Sequence, residues 1–257
     1  MSRSPGTSNL LDEAGLVGHP PVEVGYPDLL GSGTQDGYEW TATRRLPGRN
    51  LRECWADLDV SQQIRALADL WVRLEAVHRI DPTCLPALPP TPFYALDLDV
   101  ARRQLRSLST VIGPELRTRL DDMIRAGFAA MADVPQCLVH TDAGTGNTVW
   151  DGEHAIPVDF EFACLGPADL DLENIGRSLA SDQPELLTAF GEQAHDLLLR
   201  PGAATRLAAY AVLRDLWALQ GWVTNWPERR NVDTWGPMCN LHAHAAGTSW
   251  VNAVVLC

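Results

Sequence analysis

The sequence predicts an α+β fold in which strands are confined to two short regions and helices fill most of the rest. Two observations carry this. Residues 29–43 and 138–158 hold short apolar and β-branched runs punctuated by glycine-containing turns, the pattern of hairpins. From Leu51 onward, most of the remaining chain repeats its apolar residues at helical spacing. A chain of 257 residues is long enough to bury a sizeable core, as one large domain or as two lobes.

The elements follow in order. Residues 1–9 contain Ser, Gly and Pro and read as a mobile lead. Asn9–Leu16 reads as a short helix, after which Pro20, Pro21 and Pro27 interrupt regular structure. Leu29 and Leu30 end a strand, GSGTQDG at 31–37 forms a turn, and Tyr38–Thr43 is the returning strand. The glycines of that turn match a phosphate-cradling loop poorly, because no P-loop pattern follows. Asp59 or Ser61 caps a helix whose apolar face is Ile64, Leu67, Ala68, Trp71 and Leu74, ending near His78. Trp71 and His78 read as structural. Five prolines between 82 and 92 make a rigid connector, too short for a domain linker. Val100–Val111 and Pro114–Met131 form two helices, with Pro114 suited to a first helical position. Gly166 and Pro167 make a turn, and helices follow at about 184–199, 203–225 and 237–253.

The chemistry is concentrated in LVHTDAGTGNTVWDGEHAIPVD at 138–159. Leu138 and Val139 end a buried strand, and Asp142 lies in the loop beyond it. Thr148–Trp150 and Ala155–Val158 form two more strands joined by a turn at Asp151 and Gly152, and the second delivers Asp159. Strand-anchored loops can hold polar groups rigidly. Asn147 and Asp159 offer an amide oxygen and a carboxylate, the hard oxygens that magnesium takes alongside water and phosphate. Asp142 is then placed to accept a proton from a substrate hydroxyl. The spacing H-x-D-x-x-x-x-N with a later aspartate is that of phosphoryl-transfer catalytic loops.

Composition narrows the partners. A net charge of −13 argues against nucleic acid, since phosphate backbones need a basic surface. An acidic surface attracts cationic substrates such as amino sugars, although solubility alone accounts for such a charge. All 20 basic residues are arginine. The six cysteines form no C-x-x-C pair and read as reduced thiols of a cytoplasmic protein. No apolar run approaches a membrane span, and the first residues lack a signal-peptide core. Trp217, Trp222, Trp226, Trp235 and Trp250 read as core, with an apolar or cation-binding wall as the alternative. His242 and His244 point to different sides of a helix and do not make a metal pair.

HTDAGTGN at 140–147, VDFE at 158–161 and GPADLDL at 166–172 resemble the aminoglycoside phosphotransferase and choline kinase-like family of small-molecule kinases. RRLPGRNL at 45–52 and LWVRLEAVHRIDP at 70–82 extend the resemblance to roughly two thirds of the chain. It implies a protein-kinase-like, two-lobed fold: a truncated N-terminal β lobe and hinge over 1–48, and a helical C-terminal lobe over 49–257 whose last helices shape the acceptor pocket. It implies Asp142 as catalytic base, with His140 holding the loop, Asn147 and Asp159 as magnesium ligands, and the backbone of Thr43, Arg44, Arg45 and Leu46 contacting the base of ATP or GTP. Glu161 and Asp171 are then supporting groups behind the ligands. The acceptor is a small molecule with a hydroxyl, an antibiotic or a metabolite. Thr141 stands where the family has glycine. The family's phosphate-binding lysine has no counterpart, and the strands that would carry it are missing from the N-terminal lobe. Glu13 lies where that lysine's glutamate partner is expected. A kinase-like binding module without transfer activity and a shortened gene product are the competing readings. The reduced lobe leaves room for a partner, such as a second copy in a homodimer.

Overall fold

In the computed structural model the described residues are 9–16, 18–226 and 232–255, so most of the lead expected to be mobile lies outside them. The elements in order are α1 (Leu10–Leu16), β1 (Leu29–Gln35), β2 (Tyr38–Thr43), β3 (Arg49–Asn50), α2 (Leu51–Cys54), α3 (Val60–His78), α4 (Leu98–Ser107) and α5 (Pro114–Met131). There follow β4 (Cys137–Val139), β5 (Thr148–Trp150), β6 (Ala155–Pro157), β7 (Cys164–Gly166) and α6 (Asp169–Asp182). The last elements are α7 (Leu187–Gln193), α8 (His195–Leu198), α9 (Ala203–Asn225), α10 (Gly236–Ala246) and α11 (Trp250–Val255).

The chain packs as two units. One comprises residues 1–90 and 135–178, the other 91–134 and 179–257. The first passage between them falls inside the proline-rich connector. The first unit holds the N-terminal hairpin and the loops at 138–166 together.

Among the described residues that unit contains three small antiparallel sheets: β1–β2, β3–β5–β6 and β4–β7. The expected turn at 31–37 is a correction. β1 continues through Gly31 and Gly33 to Gln35, which pairs with Tyr38. The turn is only Asp36–Gly37, with φ of 53° and 81°. Two positive-φ residues make the tight connection whose twist matches paired strands, and Asp-Gly favours it. The glycines before it serve space instead: the Trp40 ring lies over Gly31 and Gly33, where a Cβ would sit 3.5 and 3.2 Å from it. Gly166 ends a strand, β7, rather than lying only in a turn.

Helix α3 is the backbone of this unit. Asp59 and Gln62 form a reciprocal capping box at its start. Its face of Leu67, Leu70, Trp71, Leu74 and Val77 is buried. Asp69 accepts the Ala155 N–H at 2.6 Å and pairs with Arg73, fixing β6 to the helix. A core of Leu16, Val24, Ala76, Val77, Leu138, Phe160 and Ala163 joins α1, α3, β4 and the 160s loop.

The second unit is helical. Pro114–Met131 and Ala203–Asn225 match the expected helices, and α5 packs along α9. The helix expected at 184–199 is broken into a 3-10 turn, α7 and α8, and that at 237–253 breaks at Gly247. Gly247 adopts φ 70° and caps α10 in the left-handed conformation. Of the clustered tryptophans, Trp235 is buried, whereas Trp217 and Trp226 keep 39 % exposure. The Arg214 guanidinium lies 3.9 Å from the Phe93 ring centroid and 5.0 Å from that of Trp217. His244 is buried against Asp215 at 3.0 Å, and His242 is exposed. Among the described residues, no helix is long and apolar enough to cross a membrane.

Candidate active site

Strand β4 carries the chain to His140 and then into a conformation most residues avoid. Thr141 has φ 61°, which explains why glycine suits this position: a β-branched residue is strained there. Hydrogen bonds hold it. Its N–H donates to Asp171 Oδ1 at 2.8 Å, its hydroxyl donates to the Phe162 carbonyl at 2.8 Å, and its carbonyl accepts from Asn174 Nδ2 at 3.0 Å. Asp171, fully buried near the start of α6, also accepts the His140 N–H at 3.0 Å and a His78 Nε2–H at 2.9 Å. Burial alone would raise the Asp171 carboxyl, but the His78 hydrogen bond and charge, with help from His140, hold it below the usual carboxylate range.

Within the loop, His140 Nε2 lies 3.0 Å from the Val158 carbonyl and its Nδ1 faces the Asp142 N–H at 3.4 Å. With Nε2–H donating to that carbonyl, Nδ1 accepts the Asp142 N–H. Asn147 Nδ2 donates to the Asp142 carbonyl at 2.9 Å and to Asp142 Oδ2 at 3.0 Å. The amide thus orients the acid and turns its own Oδ1 the other way. The Asn147 carbonyl accepts the Val158 N–H at 3.0 Å, bringing the two acid-bearing loops side by side.

Asp159 is exposed and has φ 69°. It lines a cavity of about 440 Å³ together with Thr43, Arg44, Arg45 and Leu46, all four of the expected base-contacting residues. Small-molecule sites are typically about 300–1,000 Å³. Glu13 and Tyr26 line the same cavity. Glu13 Oε1 accepts from the Tyr26 hydroxyl at 2.5 Å and from the Phe160 N–H at 2.9 Å. Burial, then the negative charge of Glu13, pushes the Tyr26 phenol far up, so it remains a donor. Glu161 is buried and is not among the residues lining the cavity.

Sequence reasoning missed Tyr26 and Asn50. Asn50 caps α2 through its Oδ1 and gives its Nδ2–H to the Gly146 carbonyl at 2.5 Å, tying the segment at 49–54 to the 140s loop. An Asn just before a short helix is a capping signal, but nothing local announces the second bond.

The sequence model of the phosphotransferase enzyme family matches residues 9–223. The chain belongs to that family. Among curated proteins none matches in sequence at a significant level. Solved structures give the fold of this phosphotransferase family member. A choline/ethanolamine kinase family protein from Mesorhizobium loti superposes with TM-score 0.64 at 18 % identity, over 97 % of this chain and 83 % of that one. A thermostable mutant of aminoglycoside phosphotransferase APH(4)-Ia, in a ternary complex with ADP and hygromycin B, gives 0.63 at 17 %, over 97 % and 82 %. The GDP complex of aminoglycoside 2'-phosphotransferase-IIIa gives 0.63 at 15 %, over 94 % and 83 %. The fold is therefore α+β and protein-kinase-like.

Proposed function

We propose that this phosphotransferase moves the γ-phosphate of a magnesium nucleotide, ATP or GTP, to a hydroxyl of a small-molecule acceptor, an antibiotic or a metabolite. The observation that supports the reading is the pairing of two neighbouring loops: Asn147 grips Asp142 and accepts the Val158 N–H, and the next residue, Asp159, lines one cavity with 43–46, a cavity that Asp142 and Asn147 do not line. The donor set fits magnesium. Asn147 Oδ1 and the Asp159 carboxylate are hard oxygens, the kind magnesium takes alongside water and phosphate. Magnesium, when bound, offsets the negative charge of the phosphates.

The chain's own residues do the rest. Asp142 accepts the proton of the acceptor hydroxyl, and Asn147 fixes the rotamer in which it does so. His140 and Asp171 keep the loop rigid. The backbone of Thr43–Leu46 meets the nucleotide base. ADP and GDP in the solved relatives support a nucleotide donor, and hygromycin B in one of them supports a small hydroxylated acceptor. The absence of lysine favours a second reading, a kinase-like module that binds a ligand or partner without transferring phosphate.

Labelled ATP and GTP with a panel of hydroxylated acceptors decide between the two. Asp142→Ala is expected to lower transfer by about 10²–10⁴-fold while nucleotide binding survives. Asp159→Ala is expected to abolish the magnesium-dependent rise in melting temperature with nucleotide. Wild-type turnover in either variant removes that residue from the mechanism.

A further inference from the structure

The cation that a buried carboxylate usually needs is missing at Glu13. Glu13 is only 7 % exposed, the chain has no lysine, and among the described residues no arginine or histidine pairs with it. A carboxylate taken from water requires donors in compensation. Here both are neutral: the Tyr26 hydroxyl at 2.5 Å and the Phe160 N–H at 2.9 Å, on the same oxygen. Tyr26 also stands edge-on to Phe160, with ring centroids 5.4 Å apart at 81°, and Phe160 leans on His140 at 4.3 Å.

These contacts bracket Asp159. On one side the Val158 N–H is held by the Asn147 carbonyl, and the Val158 carbonyl faces His140 Nε2. On the other, Glu13 holds the Phe160 N–H. Asp159 itself sits at φ 69°, a conformation that persists only where the surroundings enforce it. Without Glu13, the restraint at the Phe160 N–H is lost.

We propose that Glu13 and Tyr26 are positioning residues for Asp159: Tyr26 supplies the donor that keeps Glu13 in place, and Glu13 pins the amide that follows Asp159, aiming its carboxylate into the cavity. The proposal rests on the phosphotransferase reading, in which Asp159 holds magnesium. It assigns Tyr26, a neutral residue, the structural task of balancing a buried glutamate.

The test uses the full chain with Tyr26→Phe, Glu13→Gln and Glu13→Ala. One readout is amide hydrogen exchange at Phe160, followed by NMR without metal or nucleotide. The other is the magnesium concentration giving half of the nucleotide-induced thermal shift. Glu13→Ala is expected to speed Phe160 exchange and raise the magnesium requirement, each by about 3–10-fold, the worth of one hydrogen bond. Tyr26→Phe keeps the ring contact and shifts both in the same direction by less. Glu13→Gln keeps an acceptor oxygen and recovers most of the protection. Should Glu13→Ala fail to fold, Tyr26→Phe decides alone. Unchanged Phe160 exchange in the folded variants overturns the clamp. Altered exchange with an unaltered magnesium requirement overturns its positioning role. A wild-type protein that binds no magnesium nucleotide, with exchange still responsive, overturns the phosphotransferase reading and leaves the clamp a feature of the fold only.

Discussion

Asp171 shows how one buried side chain can hold a loop that local sequence would not form. It accepts two consecutive backbone N–H groups, at His140 and Thr141, and a histidine. Those bonds offset the strain of Thr141 at φ 61°. Its folded-state carboxyl lies below the ordinary range, so the stability it contributes is fully present above that range and is lost as pH falls through it. Asp171→Asn is therefore expected to cost about 2–4 kcal/mol near neutral pH. The gap from wild type should narrow as the pH drops below about 4. Urea unfolding at the two pH values measures it, and a gap independent of pH would mean the charge plays no part. At this scale the sequence was most legible where partners are close in the chain. His140, Asp142 and Asn147 fall within one loop, so their spacing alone suggests their company. Glu13 and Phe160 are 147 positions apart, and no local pattern announces such a pair.

At the scale of elements, legibility followed the strength of local stop signals. Pro114 opens α5, and Asp59, one of two candidate caps in the sequence, opens α3. The breaks at Ala194 and Gly247 were not readable, because apolar spacing continues across them while the backbone turns. The hairpin was readable as a pair of strands but not in its turn, since a glycine under Trp40 looks like a turn glycine in sequence. The contact of α5 with α9 depends on a similar use of space. A Cβ on Gly127 would lie 2.1 Å from Ala209 Cβ, yet 3.6 Å from its Cα. Gly127→Ala gains about 1 kcal/mol of helix propensity. Forcing the helices apart costs more, typically about 1–3 kcal/mol for an overpacked site. Net destabilisation is expected, and Ala209→Gly added to it should restore most of the loss. Equilibrium denaturation of the two variants checks both signs. Nucleotide affinity should be unchanged in each, since the cavity residues all belong to the other unit.

The whole molecule interleaves its two units along the chain: the first is interrupted by residues 91–134, and the second is completed only by 179–257. Local sequence does not announce this alternation, because each unit is assembled from segments far apart in the chain. The alternation has a consequence for assembly. Every candidate site residue, from Glu13 to Asp171, is present once residue 178 has been made. At that point, however, α5 has α4 but lacks α9 and α10, which also pack on it, and its apolar face of Leu116, Leu120 and Ile124 is left incompletely covered. Exposed apolar patches of this kind bind hydrophobic dyes and promote association. A chain ending at Ser178 is therefore expected to bind 8-anilinonaphthalene-1-sulfonate strongly and to elute in size-exclusion chromatography as aggregates, while the full chain does neither. Replacing Leu116, Leu120 and Ile124 by polar residues in that shortened chain should remove most of the dye signal. If it does not, the exposed surface lies in the first unit, and residues 1–90 with 135–178 do not complete their own core.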